Sequence, residues 1–95
     1  MNIDNLIKKM EKVFLDLGFQ TEYIGEKNEK YMHYNNCYCK ISYLMSLSAC
    51  VIESADCLED AVRGVLEDGE LYFLDSSEAE ILSKLRQDLK NYYME

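Results

Sequence analysis

The sequence predicts an α+β fold: an antiparallel sheet of four to five strands packed by two or three helices, in the order α-β-β-β-β-α-β-α. Three observations carry that expectation. Apolar residues recur at helical spacing near the start of the chain, after residue 56 and at its end. Between these stretches, short runs alternate or are continuously apolar over strand length. Gly and Asn sit at the junctions, where turns need left-handed backbone. Ninety-five residues without repeats, proline or low-complexity stretches fit one domain, 1–95, with a core of its own.

The first helix is predicted over residues 3–17, where Ile3, Leu6, Ile7, Met10, Val13, Phe14 and Leu17 share one face. Gly18 would end it, with Phe19 folding back onto Phe14. Phe19, Thr21 and Tyr23 alternate as a half-buried strand, and Gly25 to Lys30 form a polar turn. Tyr31 to Tyr34 form a short aromatic strand, joined through Asn35-Asn36 to a longer one over Cys37 to Leu44. Met45 to Ser48 turn the chain into a buried strand, Ala49 to Glu53.

The second helix is expected to start at Asp56, with Glu59 closing a capping box. Its apolar stripe would be Leu58, Ala61, Val62, Val65 and Leu66, and Gly69 would end it. Gly64 inside that helix would cost about 1 kcal/mol relative to alanine. Glu70 to Leu74 read as the last strand. Ser77 and Glu80 form a capping box for a third helix with Leu82, Leu85, Leu89 and Tyr92 on its buried face, and Tyr92 and Tyr93 are expected to pin it.

No apolar run approaches the roughly 18 residues of a membrane helix, and the polar start does not resemble an export signal. A cytoplasmic protein without membrane attachment is the expectation. Cys37, Cys39, Cys50 and Cys57 are then expected to be free thiols that fill the core.

Charge is the most informative feature. Residues 53–80 hold ten acids against the single base Arg63, a net of −9; the whole chain carries −8, so the remaining residues sum to +1. Helix starts account for Asp56, Glu59, Glu78 and Glu80. They do not account for Glu67, Asp68 and Glu70, placed by the sequence near a helix C-terminus. Two readings stand: an ordinary solvated face, or a negative field that steers a cationic partner. Nucleic acid is excluded as a partner by its phosphates.

The stretch Val51-Ile52-Glu53-Ser54-Ala55-Asp56, followed by Leu58-Glu59-Asp60-Ala61 and Leu66-Glu67-Asp68-Gly69-Glu70-Leu71-Tyr72, resembles small bacterial immunity proteins of polymorphic-toxin systems. In those proteins a strand ending in an acid and alanine leads into a short acidic helix, and the likeness covers roughly residues 50–92. The resemblance implies a non-catalytic inhibitor that binds a cognate protein toxin, many of which have basic clefts.

Other chemistry finds little footing. Cys37-x-Cys39 has one residue where structural zinc pairs usually have two to four, so no metal and no cofactor are expected. The single histidine, His33, has no recognisable nucleophile in an activating context, so no catalytic residues are expected. Tyrosines serve interfaces well, because a rigid ring buries while its hydroxyl stays polar. The partner-binding set expected from sequence is therefore Glu53, Asp56, Glu59, Asp60, Glu67, Asp68 and Glu70, with Tyr31, Tyr34 and Tyr38 on an exposed sheet face. The alternative is a structural or adaptor domain that forms a homodimer through sheet edges or tyrosine faces.

Overall fold

In a computed structural model, residues 2–94 are described. Helix α1 (Ile3–Asp16) leads into five antiparallel strands, β1 (Gln20–Ile24), β2 (Glu29–Tyr34), β3 (Cys37–Leu44), β4 (Ala49–Ala55) and β5 (Glu67–Phe73). A short helix α2 (Leu58–Arg63) lies between β4 and β5, and α3 (Glu78–Tyr93) closes the described chain. The strands lie in chain order, β1-β2-β3-β4-β5, leaving β1 and β5 as edges.

Strand alternation gives the sheet two different faces. Met32, Cys39, Cys50, Ile52 and Tyr72 point one way, into the main core made with Leu6, Met10, Val13 and Phe14 of α1 and Ile81, Leu85 and Leu89 of α3. Tyr31, Tyr38 and Ala55 point the other way and meet Ile24 and Ala61 in a small second core under α2. The expected apolar contact after α1 is made: the Phe14 and Phe19 rings meet edge-on at 4.9 Å, beyond Gly18 at φ +100°. The turns fall where Asn and Gly predicted them, with Gly25, Asn28 and Asn35 all at positive φ. Met45–Leu47 form one turn of 3-10 helix. Ser77 and Glu80 complete their capping box.

Several expectations are corrected between residues 56 and 70. Helix α2 starts one residue after Cys57, which caps it without a side-chain bond, so the Asp56–Glu59 box is not formed. It stops at Gly64, not Gly69. Gly64 adopts φ +72°, and the amides of Gly64 and Val65 donate to the carbonyls of Ala61 (3.2 Å) and Asp60 (2.9 Å), a paired closure that needs a left-handed residue. Gly64 is thus a terminator, not a flaw inside a longer helix. With only six residues, α2 buries Ala61 alone, and Leu58, Val62 and Val65 of the expected stripe remain 51%, 53% and 53% exposed.

Residues 67–70 consequently belong to an edge strand rather than to a helix end. The register of β5 slips there: Val51 pairs with Leu71 and Glu53 with Asp68, so Gly69 and Glu70 together oppose Ile52. This is a β-bulge. A Cβ at position 69 would stand 2.8 Å from the Ile52 carbonyl oxygen, so the close approach of the two backbones requires glycine.

A candidate acidic cleft

A gap lies between the bulged part of β5 and the C-terminal half of α3. The gap is an open cleft of about 490 Å³. Its floor is Ile52, Tyr72 and Leu89; β5 supplies Glu67, Asp68, Gly69 and Glu70; α3 supplies Asp88, Tyr92 and Tyr93; Ser54 and Asp56 close one end. Five of these residues are acids. A second depression of about 400 Å³ shares Asp56, Tyr92 and Tyr93 and adds Tyr34 and Cys37, so the two form one continuous tyrosine-edged surface.

One cation stands beside the cleft. Lys84, one turn before Asp88 on α3, donates to Asp88 Oδ2 at 3.0 Å and Glu70 Oε2 at 3.3 Å, and lies 4.9 Å from the centre of the Tyr72 ring. Tyr72 donates its hydroxyl to Asp88 at 2.8 Å. Burial pushes the Tyr72 phenol well above its ordinary value, and the Asp88 carboxylate adds to the shift. Burial opposes charge on Lys84, but the bonds to Asp88 and Glu70 outweigh it and raise its pKa. The Tyr93 phenol is pushed up to about 12, mainly by burial, with Ser54 working the other way. Glu70 also accepts from the Tyr92 hydroxyl at 3.4 Å.

Lys84 therefore pairs with both inner acids, Glu70 and Asp88, and offsets one of their two charges. Among the described residues, no basic side chain lies within ion-pair distance of Asp56, Glu67 or Asp68. These three are exposed and leave an unopposed negative rim.

The expected binding set is thus divided. Asp56, Glu67, Asp68 and Glu70 come together at the cleft. Glu53 does not: it accepts from Ser42 and pairs across the strands with Lys40, on the sheet face opposite the main core. Glu59, on α2, faces Arg63 at 3.9 Å, and neither it nor Asp60 lines the cleft. The tyrosine expectation is corrected more sharply. Tyr31 is 1% exposed, with its hydroxyl bonded to the Ala61 carbonyl, and Tyr38 is 8% exposed under the stacked ring of His33. Neither lines an exposed face, because α2 covers it. Tyr34 lies half-buried against Phe19 and edges the second depression.

Sequence reasoning missed Asp88 and placed Tyr92 on a buried face, whereas Tyr92 is 61% exposed. The Lys84–Asp88 spacing of four was a visible hint of an ion pair, but only the strand register shows that it faces Glu70. His33 lies away from the cleft, held by Glu22 at 2.9 Å and by the Asn35 carbonyl. Cys57 is exposed and Cys37 half-buried, so only Cys39 and Cys50 are the core filler expected of all four cysteines. Among the described residues, no three His, Cys, Asp or Glu side chains converge as metal ligands, and no helix is long and apolar enough to cross a membrane.

No family model, curated protein or solved structure matches this chain.

Proposed function

We propose that this protein is a non-catalytic, immunity-type inhibitor, acting in the cytoplasm of a bacterium, that binds a cognate protein toxin through its acidic cleft. The observation that carries this reading is the unpaired carboxylate rim of Asp56, Glu67 and Asp68 around a cleft walled by Tyr92 and Tyr93. Like charges held together on an exposed edge repel one another, and a cationic surface docking there relieves that repulsion. Exposed tyrosine beside the rim supplies the apolar anchoring that charge alone does not. A basic, phosphate-binding toxin cleft is the complementary surface. Glu53, Glu59 and Asp60 lie outside this contact and contribute only to the long-range field.

The test is titration of the full chain with the toxin-like product of the neighbouring gene at low and moderate salt. Complex formation that weakens with salt, and weakens at least tenfold in Glu67→Lys/Asp68→Lys, is expected. Absence of any complex at low salt would sink the proposal. Unchanged affinity in the charge-reversed protein would move the contact elsewhere. A second reading, a homodimeric adaptor, draws on exposed Leu58 and Val62 of α2 and Val65 just beyond it. Light scattering that shows a stable dimer, lost in Val62→Glu, would favour it.

A further inference from the structure

Cys37 and Cys39 occupy alternate positions of β3 and so share one sheet face, with their sulfurs 3.6 Å apart. Their surroundings differ. Cys39 is wholly buried between Met32 of β2 and Ser54 of β4. Cys37 opens β3 just after the Asn35-Asn36 turn, is half-buried, and lines the second depression with Tyr34, Asn36 and Tyr93. One thiol meets solvent, and the other lies directly behind it. The contact with Cys39 lowers the Cys37 pKa, against opposing effects of burial and of Asp56. The same contact, together with burial, holds Cys39 protonated. A half-exposed thiol with a buried one 3.6 Å behind it has the arrangement of an attacked and a resolving cysteine.

We infer that Cys37 and Cys39 form a redox-active dithiol, a modification site for hydroperoxides at which Cys37 is oxidised first and Cys39 resolves it. The Cys37 thiolate attacks the peroxide: an S–O bond forms, the O–O bond breaks, and the leaving oxygen departs protonated as water or alcohol. The Cys39 sulfur then attacks the Cys37 sulfenic acid. An S–S bond forms, the S–O bond breaks, and the hydroxyl leaves with the Cys39 proton as water. Two electrons pass from the two thiols to the peroxide.

Strand geometry determines what kind of disulfide results. Two residues along a strand span about 6.6–6.8 Å, at the outer limit of the roughly 4.4–6.8 Å between the Cα atoms of bridged cysteines. The sulfurs must also close from 3.6 Å to about 2.05 Å. The bond forms under strain and is therefore readily reduced by cellular thiols, as a reversible mark and not a structural staple. Tyr93 lines the second depression beside Cys37 and also walls the acidic cleft.

Exposed Cys57 competes for oxidant, so the test uses the full chain carrying Cys57→Ser. The protein is treated with hydrogen peroxide, denatured, alkylated and cut after lysine and arginine. Lys30 and Lys40 bracket a peptide that holds Cys37 and Cys39 and no other cysteine. That peptide is expected to lose the mass of two hydrogens, escape alkylation, and regain both thiols on incubation with glutathione. With Cys39→Ser added, the Cys37 sulfenic acid should persist and be trapped by dimedone; with Cys37→Ser instead, Cys39 should stay reduced. A sulfinic acid on Cys37 with Cys39 still alkylated would overturn the inference. So would an unchanged peptide at a peroxide dose that oxidises Cys57 of the unsubstituted protein. Should either added substitution prevent folding, the peptide map of the Cys57→Ser protein decides alone.

Discussion

Replacing Gly69 with alanine tests the bulge that borders the cleft. The added Cβ would stand 2.8 Å from the Ile52 carbonyl oxygen and 3.9 Å from its carbon. The obstacle is backbone in β4, a strand paired on both sides, so it cannot swing aside as a side-chain end would. Overpacking of this kind costs about 1–3 kcal/mol. Alanine restricts the unfolded chain more than glycine does, which offsets about 0.4–1 kcal/mol. The net loss should be about 1–2 kcal/mol. With a urea dependence of about 1–1.5 kcal/mol per molar for a chain this small, the midpoint should fall by about 1 M. Tyrosine fluorescence and circular dichroism through a urea titration would report it. Gly64→Ala provides the contrast, because nothing lies within 4 Å of its Cβ and its φ of +72° is the sole obstacle. That substitution should cost about 1–2 kcal/mol through backbone strain, yet leave the cleft unaltered. A Gly69→Ala midpoint within about 0.2 M of the parent would refute the close approach, since the expected shift is several times larger.

Removing the Asp88 carboxylate should also be costly. In Asp88→Ala the buried Tyr72 hydroxyl loses its acceptor, a loss of about 1–3 kcal/mol, and adding Tyr72→Phe should recover much of it in a double-mutant cycle. Alkaline pH should unfold the protein through its buried phenols. The Tyr93 pKa is raised in the folded state, so its contribution is complete below the ordinary value of 10.0 and is lost as pH rises through about 12. Tyr72 shifts in the same direction. Phenolate absorbance should therefore show a late group of tyrosines ionising together with loss of circular dichroism, and Tyr93→Phe should make that loss shallower.

What could be read from the sequence follows from how local each cause is. Helix α1 is legible because its buried face repeats over four turns, and Ser77 with Glu80 mark the start of α3 within four residues. β3 is legible from end to end, since alternation and an Asn-Asn turn bound it. The region from Asp56 to Glu70 is not. There the spacing of Leu58, Val62 and Val65 imitates a helix stripe, but Gly64 ends the helix after six residues. Two competing roles for one glycine, interior residue or left-handed terminator, look alike in sequence. The candidate site inherits the same ambiguity. That residues 53–70 are acidic is plain; which acids converge depends on the faces of β4 and β5, and a one-residue bulge decides that. Glu53 and Ser54 are neighbours in the chain, yet only Ser54 lines the cleft. Asp88 joins it across the sheet–helix gap, at a sequence distance that no local pattern bridges.

Helices α1 and α3 lie side by side over the same sheet face, tied by Lys9 to Glu78 and by Arg86 to Asp16. Two helices far apart in the sequence thus complete each other. During synthesis the strands can pair hairpin by hairpin as they emerge, because each neighbours the next. The apolar stripe of α1, made before the strands, is fully covered only when α3 has left the ribosome. Tyr92 and Tyr93 arrive in that same final helix. A nascent chain halted before α3 would therefore lack both its finished interior and one wall of its cleft.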